Sequence, residues 1–155
     1  MFSVSLCYLK TSLLFFRCEV YTGDLCSTYL EKTVKMFIPF GQTQREIEHN
    51  IRDIFRRISS YRSAQCETHL LPSLCKHFFP PCDPRSNKPR SLPICREDCF
   101  QLEKETCQEV FTIAKAMSVK FRYQLPTCSR LPKGDRENKP TNCQRIFSPS
   151  NYFHS

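Results

Sequence analysis

The strongest constraint on the fold of this chain is its cysteine content. Cytosolic proteins keep their thiols reduced and seldom carry so many, so an even-numbered set predicts a disulfide framework formed on the oxidising side of a membrane. Spacing alone does not determine which cysteines pair. Of the 11 cysteines, Cys7 stands apart near the N-terminus. The other ten form the set Cys18, Cys26, Cys66, Cys75, Cys82, Cys95, Cys99, Cys107, Cys128 and Cys143.

Zinc binding is the main alternative use for so many cysteines. The closest pair, Cys95 and Cys99, has three residues between its members, so the sequence contains no C-x-x-C motif. No H-x(3–5)-H pair occurs among the four histidines, His49, His69, His77 and His154. Because tetrahedral zinc sites draw their ligands from such closely spaced pairs, we predict no metal site.

The charge of the chain is compatible with several kinds of partner. A formal net charge of +8 and a pI near 9.0 would suit nucleic acid, an anionic cell surface or sulfated glycans. The basic residues alternate with acids, however, as in Arg45-Glu46 and Arg52-Asp53. We interpret most of this charge as solvated surface and do not predict nucleic-acid binding.

The hydrophobic pattern predicts a mostly helical domain with a minor sheet. Residues 44–59 place isoleucines at helical intervals and form an amphipathic helix. A second helix is predicted over 67–79, with Pro72 marking an N-terminal turn or a kink. The proline-rich run 80–93 is predicted to be a loop, and 94–117 a third helix. Short extended pieces are expected at 33–39 and 119–125.

The length of 155 residues suits a single domain, and we divide the chain into three parts. Residues 1–17 are a non-domain segment: a degenerate signal, a short anchor or the start of an incomplete gene model, of which we favour the last. Residues 18–147 are the domain, and 148–155 a linker or truncated tail. No apolar run approaches the ~18 residues of a membrane span, so we expect none in this chain.

Catalytic motifs are missing from the sequence. There is no G-x-S-x-G, H-E-x-x-H, P-loop or dinucleotide fingerprint, and three scattered glycines do not build a phosphate cradle. Cys75 and His77 are a conceivable nucleophile and base, but we interpret them as a bridged cysteine beside a surface histidine. We therefore predict a binding protein without catalytic residues or cofactors.

The cysteine spacing is specific enough to suggest a family. It contains C-x7-C, C-x8-C-x6-C and C-x3-C-x7-C, followed by two well-separated cysteines. This pattern resembles the ten-cysteine Frizzled-type domain over about residues 18–147. The segments CKHFFPPCD, ICREDCFQLEKETCQEVFTIAKA, QLPTC and NCQRI are most similar to the receptor tyrosine kinase-like orphan receptors. Muscle-specific kinase is the nearest relative outside that group.

The resemblance implies a mainly α, disulfide-rich fold of about four helices with a minor β-strand pair and five disulfides. It also implies an extracellular or cell-surface module that binds a Wnt-type protein ligand or co-receptor. Any tyrosine kinase activity would belong to a longer product outside this chain. The implied disulfides are Cys18–Cys82, Cys26–Cys75, Cys66–Cys107, Cys95–Cys143 and Cys99–Cys128, which leaves Cys7 free.

Frizzled proteins bind the acyl chain of a Wnt in an apolar groove beside their first helices, and burial of each methylene contributes about 0.8 kcal/mol. The sequence lacks the aromatic pair with tryptophan that is typical of Frizzled at this groove. The matching residues either line such a groove or fill it as core. They are Ile51, Ile54, Phe55, Ile58, Phe78 and Phe79.

A second hypothesis is a secreted glycan-binding or Wnt-decoy protein. Heparan sulfate would be held by salt-sensitive contacts with exposed basic side chains. The candidate glycan contacts are Arg45, Arg52, Arg56, Arg57, Lys133, Arg136 and Lys139.

Overall fold

The computed structural model describes residues 15–61, 63–117, 124–134 and 142–147. Within these residues a two-stranded antiparallel sheet is followed by four α-helices. The predicted class, mainly helical and disulfide-rich with a minor strand pair, is confirmed. The elements are β1 (Arg17–Val20), β2 (Lys35–Ile38), α1 (Gln44–Ile58), α2 (Ala64–Phe78), α3 (Arg96–Gln101) and α4 (Gln108–Ala116).

Helix α1 agrees with its prediction to within one residue. It begins with a capping box, in which the Thr43 side chain accepts a hydrogen bond from the Glu46 amide and the Glu46 carboxylate accepts one from the Thr43 amide. The isoleucines that recur every three or four residues are the buried face of the helix. A 3-10 turn, Ser59–Tyr61, follows directly.

Helix α2 begins three residues earlier than predicted. Ser63 caps it by accepting a hydrogen bond from the Cys66 amide at 3.2 Å, so the first turn forms at Ala64. Pro72 lies inside the helix and not in its N-terminal turn, contrary to one of the predicted alternatives. Proline removes one backbone donor from a helix. The helix nevertheless continues, and the bridged Cys66 and Cys75 tie it to the fold on both sides of Pro72.

The prediction of one helix over 94–117 is wrong, because the segment is broken in its middle. A π-helical turn, Leu102–Thr106, separates α3 from α4, and the Cys107 amide donates to the Leu102 carbonyl at 2.7 Å. A π-helical turn of this kind accommodates one extra residue within a helix. Cys99, before the turn, bonds to Cys128, and Cys107, directly after it, bonds to Cys66 of α2.

The sheet contains one predicted strand and one that was not predicted. Strand β2 lies within the expected extended piece at 33–39. It pairs with β1 so that Arg17 lies opposite Ile38 and Val20 lies opposite Lys35. Strand β1 thus begins one residue before the predicted domain boundary at residue 18. Most of the other expected extended piece, 119–125, lies outside the described residues, and its last two residues are not in a strand.

The main core is formed where α1, α2 and α4 pack together. It contains the isoleucines of α1, leucines of α2, and Val110 and Phe111 of α4, along with the buried Cys26–Cys75 and Cys66–Cys107 bridges. A smaller cluster surrounds Ile94 and the Cys99–Cys128 bridge. Both clusters of buried side chains thus include disulfides.

Candidate functional site

All ten cysteines in the described part of the chain form disulfides, and Cys7 lies outside it. The pairs are the five that the resemblance implies: Cys18–Cys82, Cys26–Cys75, Cys66–Cys107, Cys95–Cys143 and Cys99–Cys128. Because Cys75 is bonded to Cys26, it has no thiolate to offer His77. The conceivable Cys75–His77 dyad therefore has no nucleophile.

Most of the predicted groove residues are core. Ile51, Ile54 and Ile58 are each 0% exposed, because the face of α1 that carries them packs against α2 and α4. Phe79 is also 0% exposed, and its ring contacts that of Tyr21 edge-on at 4.9 Å between centroids. Of the two alternatives for these four side chains, filling the core describes the structure and lining an open groove does not.

Phe55 and Phe78 are the two predicted groove residues that remain partly accessible. Both are half-buried and pack against the main core from outside. The Phe78 ring lies edge-on to the His77 ring, with 4.8 Å between their centroids. Of the six predicted groove residues, Phe55 and Phe78 are therefore the two that retain surface for contact with a ligand.

Gln124 ties α1 to α2 next to Phe78. Its side-chain amide donates a hydrogen bond to the Asn50 carboxamide oxygen at 3.0 Å, and its backbone accepts a hydrogen bond from His77. Burial lowers the pKa of His77 to about 4, an effect that the bond to Gln124 partly opposes. The His77 ring is therefore neutral at physiological pH. An apolar ligand group at Phe78 would meet no charge from this side chain.

The basic residues predicted as glycan contacts on α1 share their surface with acids. Arg52 lies 3.9 Å from Glu48, and Arg56 and Arg57 each lie 3.0 Å from an oxygen of Asp53. Hydrogen bonds from these two arginines lower the pKa of Asp53. Arg45 and Lys133 are exposed, and Arg136 and Lys139 lie outside the described residues.

A polar clamp that the sequence did not reveal holds residues 21–26 on α1. The Glu48 carboxylate accepts hydrogen bonds from the Tyr21 hydroxyl and from the Leu25 amide, the latter at 3.0 Å. The Tyr21 oxygen accepts one from the Cys26 amide at 2.9 Å. Burial and the bond to Glu48 raise the pKa of Tyr21. The clamp positions Cys26 for its bridge to α2.

Two larger cavities are found in the described part of the chain, and Phe79 is the one predicted groove residue among their lining residues. One, of about 660 Å³, lies among α3, α4 and the 3-10 turn Cys128–Arg130. The other, of about 780 Å³, lies between the sheet, the end of α2 and residues 144–145, and we call it the sheet-side pocket. Its apolar lining includes Leu30, Val34, Met36, Phe79, Pro81 and Leu92.

The fold and these surfaces define a class of protein, an extracellular, disulfide-bonded helical binding module. None of the described helices is long and apolar enough to cross a membrane. The chain matches the Fz domain family over residues 18–135 and belongs to that family. Fz domains are extracellular cysteine-rich modules that bind Wnt-type ligands. The predicted Frizzled-type cysteine-rich domain is thereby confirmed.

Proposed function

We propose that this Fz domain is the ligand-recognition module of a receptor tyrosine kinase-like orphan receptor and acts in Wnt-type signalling without catalysis of its own. The match to the Fz family supports the general part of this proposal, namely the binding of a Wnt-type ligand by an extracellular module. The finer part is supported by the segments CKHFFPPCD, ICREDCFQLEKETCQEVFTIAKA, QLPTC and NCQRI, which are similar to that receptor group. Kinase activity would then belong to a longer product, along with a kringle and a membrane span.

The accessible aromatic side chains are the proposed contact points for the Wnt-type ligand. Aromatic residues that are partly exposed and anchored on a rigid element frequently dominate the energy of a protein interface. Phe78 meets this description, because α2 is bridged to the rest of the fold three residues earlier, at Cys75. The buried isoleucines of α1 are already packed, so we propose contact through Phe55 and Phe78 and not insertion of an acyl chain among Ile51, Ile54 and Ile58.

A binding titration tests this contact. The secreted chain is immobilised, and a purified Wnt-type protein is titrated over wild type, Phe78→Asp and Phe55→Asp. We expect each variant to weaken binding by about tenfold or more, the effect of losing an aromatic anchor. Phe40→Asp is the matched control, because Phe40 is 54% exposed and lies outside α1 and α2. Equal losses in all three variants, or none in Phe78→Asp, would contradict the proposed surface.

The receptor context has a separate test. The transcript is extended downstream of the codon for Ser155 and translated in frame. We expect a kringle, a membrane span and a kinase domain. An in-frame stop codon with none of these beyond it would contradict the receptor context, while leaving a secreted Wnt-binding or decoy protein as the function.

Glycan binding is the second proposal, supported by the exposure of the arginines on α1. Arg52, Arg56 and Arg57 have side chains that are 56%, 79% and 56% exposed, and exposed ion pairs such as theirs are weak enough to be replaced by sulfate contacts. Heparin chromatography of wild type and of Arg56→Gln/Arg57→Gln tests it. We expect the variant to elute at lower salt than the control Lys32→Gln/Lys88→Gln. Equal elution would contradict glycan contacts on α1.

A further inference from the structure

The loop between Cys82 and α3 contains the same tripeptide twice. Pro84-Arg85-Ser86 and Pro89-Arg90-Ser91 have identical sequences, and both lie outside helices and named strands. Trypsin-like serine proteases bind an arginine side chain in a pocket with an aspartate at its base and hydrolyse the peptide bond that follows. Both tripeptides contain such a bond, so the structure around each arginine decides whether a protease can reach it.

Arg85 is held by its own loop. Its guanidinium donates hydrogen bonds to the Asp83 carboxylate from Nε at 3.0 Å and from Nη2 at 3.1 Å, and its backbone amide donates to the same carboxylate at 3.0 Å. The Ser86 amide donates to the Asp83 carbonyl at 3.2 Å, so the Arg85–Ser86 bond lies in a turn. A turned backbone does not fit a protease cleft, because the cleft binds its substrate as an extended strand.

Arg90 is more accessible than Arg85. It is exposed, and its side chain has no ion-pair partner in the part of the chain that the structure describes. Ser91 forms an antiparallel bridge with Cys82, so the chain is extended where the Arg90–Ser91 bond lies. One backbone bond restrains this site, from the Asp83 amide to the Arg90 carbonyl at 2.7 Å. Its opening should slow cleavage by about fivefold without preventing it.

Lys88 lies between the two arginines and does not offer a competing site. The bond after Lys88 leads into Pro89, whose ring replaces the N–H that a substrate presents at this position. The Lys88 carbonyl also accepts a hydrogen bond from the Ser86 hydroxyl at 2.7 Å. Exposed loop tips of small and polar residues are the segments at which folded proteins are cut. Among the three basic residues of loop 83–91, Arg90 thus combines a free side chain with an extended, cleavable bond.

We propose that the Arg90–Ser91 bond is a cleavage site for a secreted trypsin-like serine protease that accepts proline before the arginine. Water hydrolyses the bond: the Arg90 carbonyl carbon gains the hydroxyl group, and the Ser91 nitrogen gains the proton. Nothing is oxidised or reduced. The products are residues 1–90 and 91–155, each with a new terminus in the loop.

The disulfides keep the two fragments together after cleavage. Two of the five bridges lie within residues 1–90 and two within residues 91–155, so only Cys66–Cys107 joins the fragments. Packing of α4 against α1 and α2 in the main core also spans the cut. Phe55 and Phe78 both remain on residues 1–90. Cleavage therefore produces a two-chain form that keeps the proposed ligand surface and holds its C-terminal half by one covalent bond.

Limited digestion of the secreted full chain with thrombin, a trypsin-like protease that prefers proline before arginine, tests the site. We expect the first cut to create a new N-terminus at Ser91, with two fragments on a reducing gel and one band on a non-reducing gel. The sequence-matched control is a synthetic peptide of residues 83–93, which contains both tripeptides without the fold. The ratio of cleavage after Arg90 to cleavage after Arg85 should be about tenfold or more higher in the folded chain than in the peptide.

Three outcomes of this digestion would overturn the proposal. They are equal ratios in the folded chain and the peptide, a first cut at another bond, and a folded chain that stays intact where the peptide is fully cut. No Wnt-type ligand takes part, so each outcome is distinct from failure of the proposed function.

Variants test the physical reason for the selectivity. Arg90→Gln should abolish the cut before Ser91. Asp83→Ala releases the Arg85 side chain and should raise cleavage after Arg85 by about fivefold. Lys88→Gln is the matched control in the same loop and should change neither rate. Undiminished cleavage of Arg90→Gln, or equal effects of Asp83→Ala and Lys88→Gln on cleavage after Arg85, would contradict this account.

Discussion

Asp98 of α3 is a buried carboxylate that holds the C-terminal part of the domain against the helix. It is 1% exposed, and its Oδ2 atom accepts hydrogen bonds from the amides of Ile146 at 2.6 Å and Phe147 at 3.2 Å. Its Oδ1 atom lies 3.4 Å from a guanidinium nitrogen of Arg145. Replacing Asp98 by asparagine keeps the shape of the side chain and changes one oxygen into an NH2 donor.

In either orientation of the new asparagine side chain, its NH2 group faces another hydrogen-bond donor. If its oxygen faces the amides of Ile146 and Phe147, the NH2 group faces Arg145, and if it is flipped, the NH2 group faces the two backbone donors. A hydrogen bond to a charged group contributes about 1.5–3 kcal/mol. The half-exposed Arg145 adds less than about 1 kcal/mol. We expect Asp98→Asn to lower the free energy of unfolding by about 2–4 kcal/mol.

Urea unfolding with the disulfides intact measures this loss. With an m value of about 2 kcal/mol/M, the midpoint should fall by about 1–2 M while m stays constant. Arg145→Gln is the matched control, because it removes only the partly exposed partner and should shift the midpoint by less than about 0.5 M. A midpoint for Asp98→Asn no lower than that of the control would refute the role assigned to the buried carboxylate.

Three other perturbations test the clamp, the half-buried His77, which is not the surface histidine predicted from the sequence, and a bridge. Gly23→Ala places a Cβ atom close to the Glu48 carboxylate and should cost about 1–2 kcal/mol in urea unfolding. Because the pKa of His77 is lowered to about 4, the unfolded chain binds its proton first, so unfolding free energy should fall as pH drops from about 6.5 to 4. Cys18→Ser/Cys82→Ser removes a disulfide between residues 64 positions apart and should lower the free energy of unfolding by about 4 kcal/mol.

Each of these has a control. Gly134→Ala meets its neighbours at an ordinary 3.5 Å and should be near neutral, so equal effects at Gly23 and Gly134 would count against the clamp. His77→Gln should reduce the fall in stability between pH 6.5 and 4. An unchanged slope would show that other groups cause the fall. Unaltered thermal stability of the Cys18→Ser/Cys82→Ser protein would contradict the stabilising role of that bridge.

The sequence predicts α1 but not the break after α3, because the determinants of α1 are local and those of the break are not. The buried isoleucines of α1 recur with the helical period and its cap is local, so every determinant lies within 16 residues, Thr43 to Ile58. The break at Leu102–Thr106 directly precedes Cys107, whose partner Cys66 lies 41 residues away on α2. Helix propensity carries no information about such a distant partner. Strand β1 likewise has no local signal, because its pairing with β2 is non-local.

The candidate site was harder to predict than the fold. Hydrophobic periodicity shows that Ile51 and Ile54 face one direction, but it does not tell whether protein or ligand covers that face. The bonds of Glu48 to Tyr21 and of Asp98 to Ile146 span 27 and 48 residues. Single polar residues with such distant partners have no local signature. Their roles become visible only in the folded chain.

The location of the bridges determines which substitutions can report on ligand binding. Ile54 is 0% exposed in the main core, so Ile54→Ala would cost about 2–5 kcal/mol and would lower ligand binding simply by unfolding the protein. Phe78 lies outside that core on a helix already fixed by the Cys26–Cys75 bridge, so its replacement leaves the helix in place. Lost binding in Phe78→Asp, at unchanged urea midpoint, therefore identifies a contact, whereas lost binding in Ile54→Ala does not.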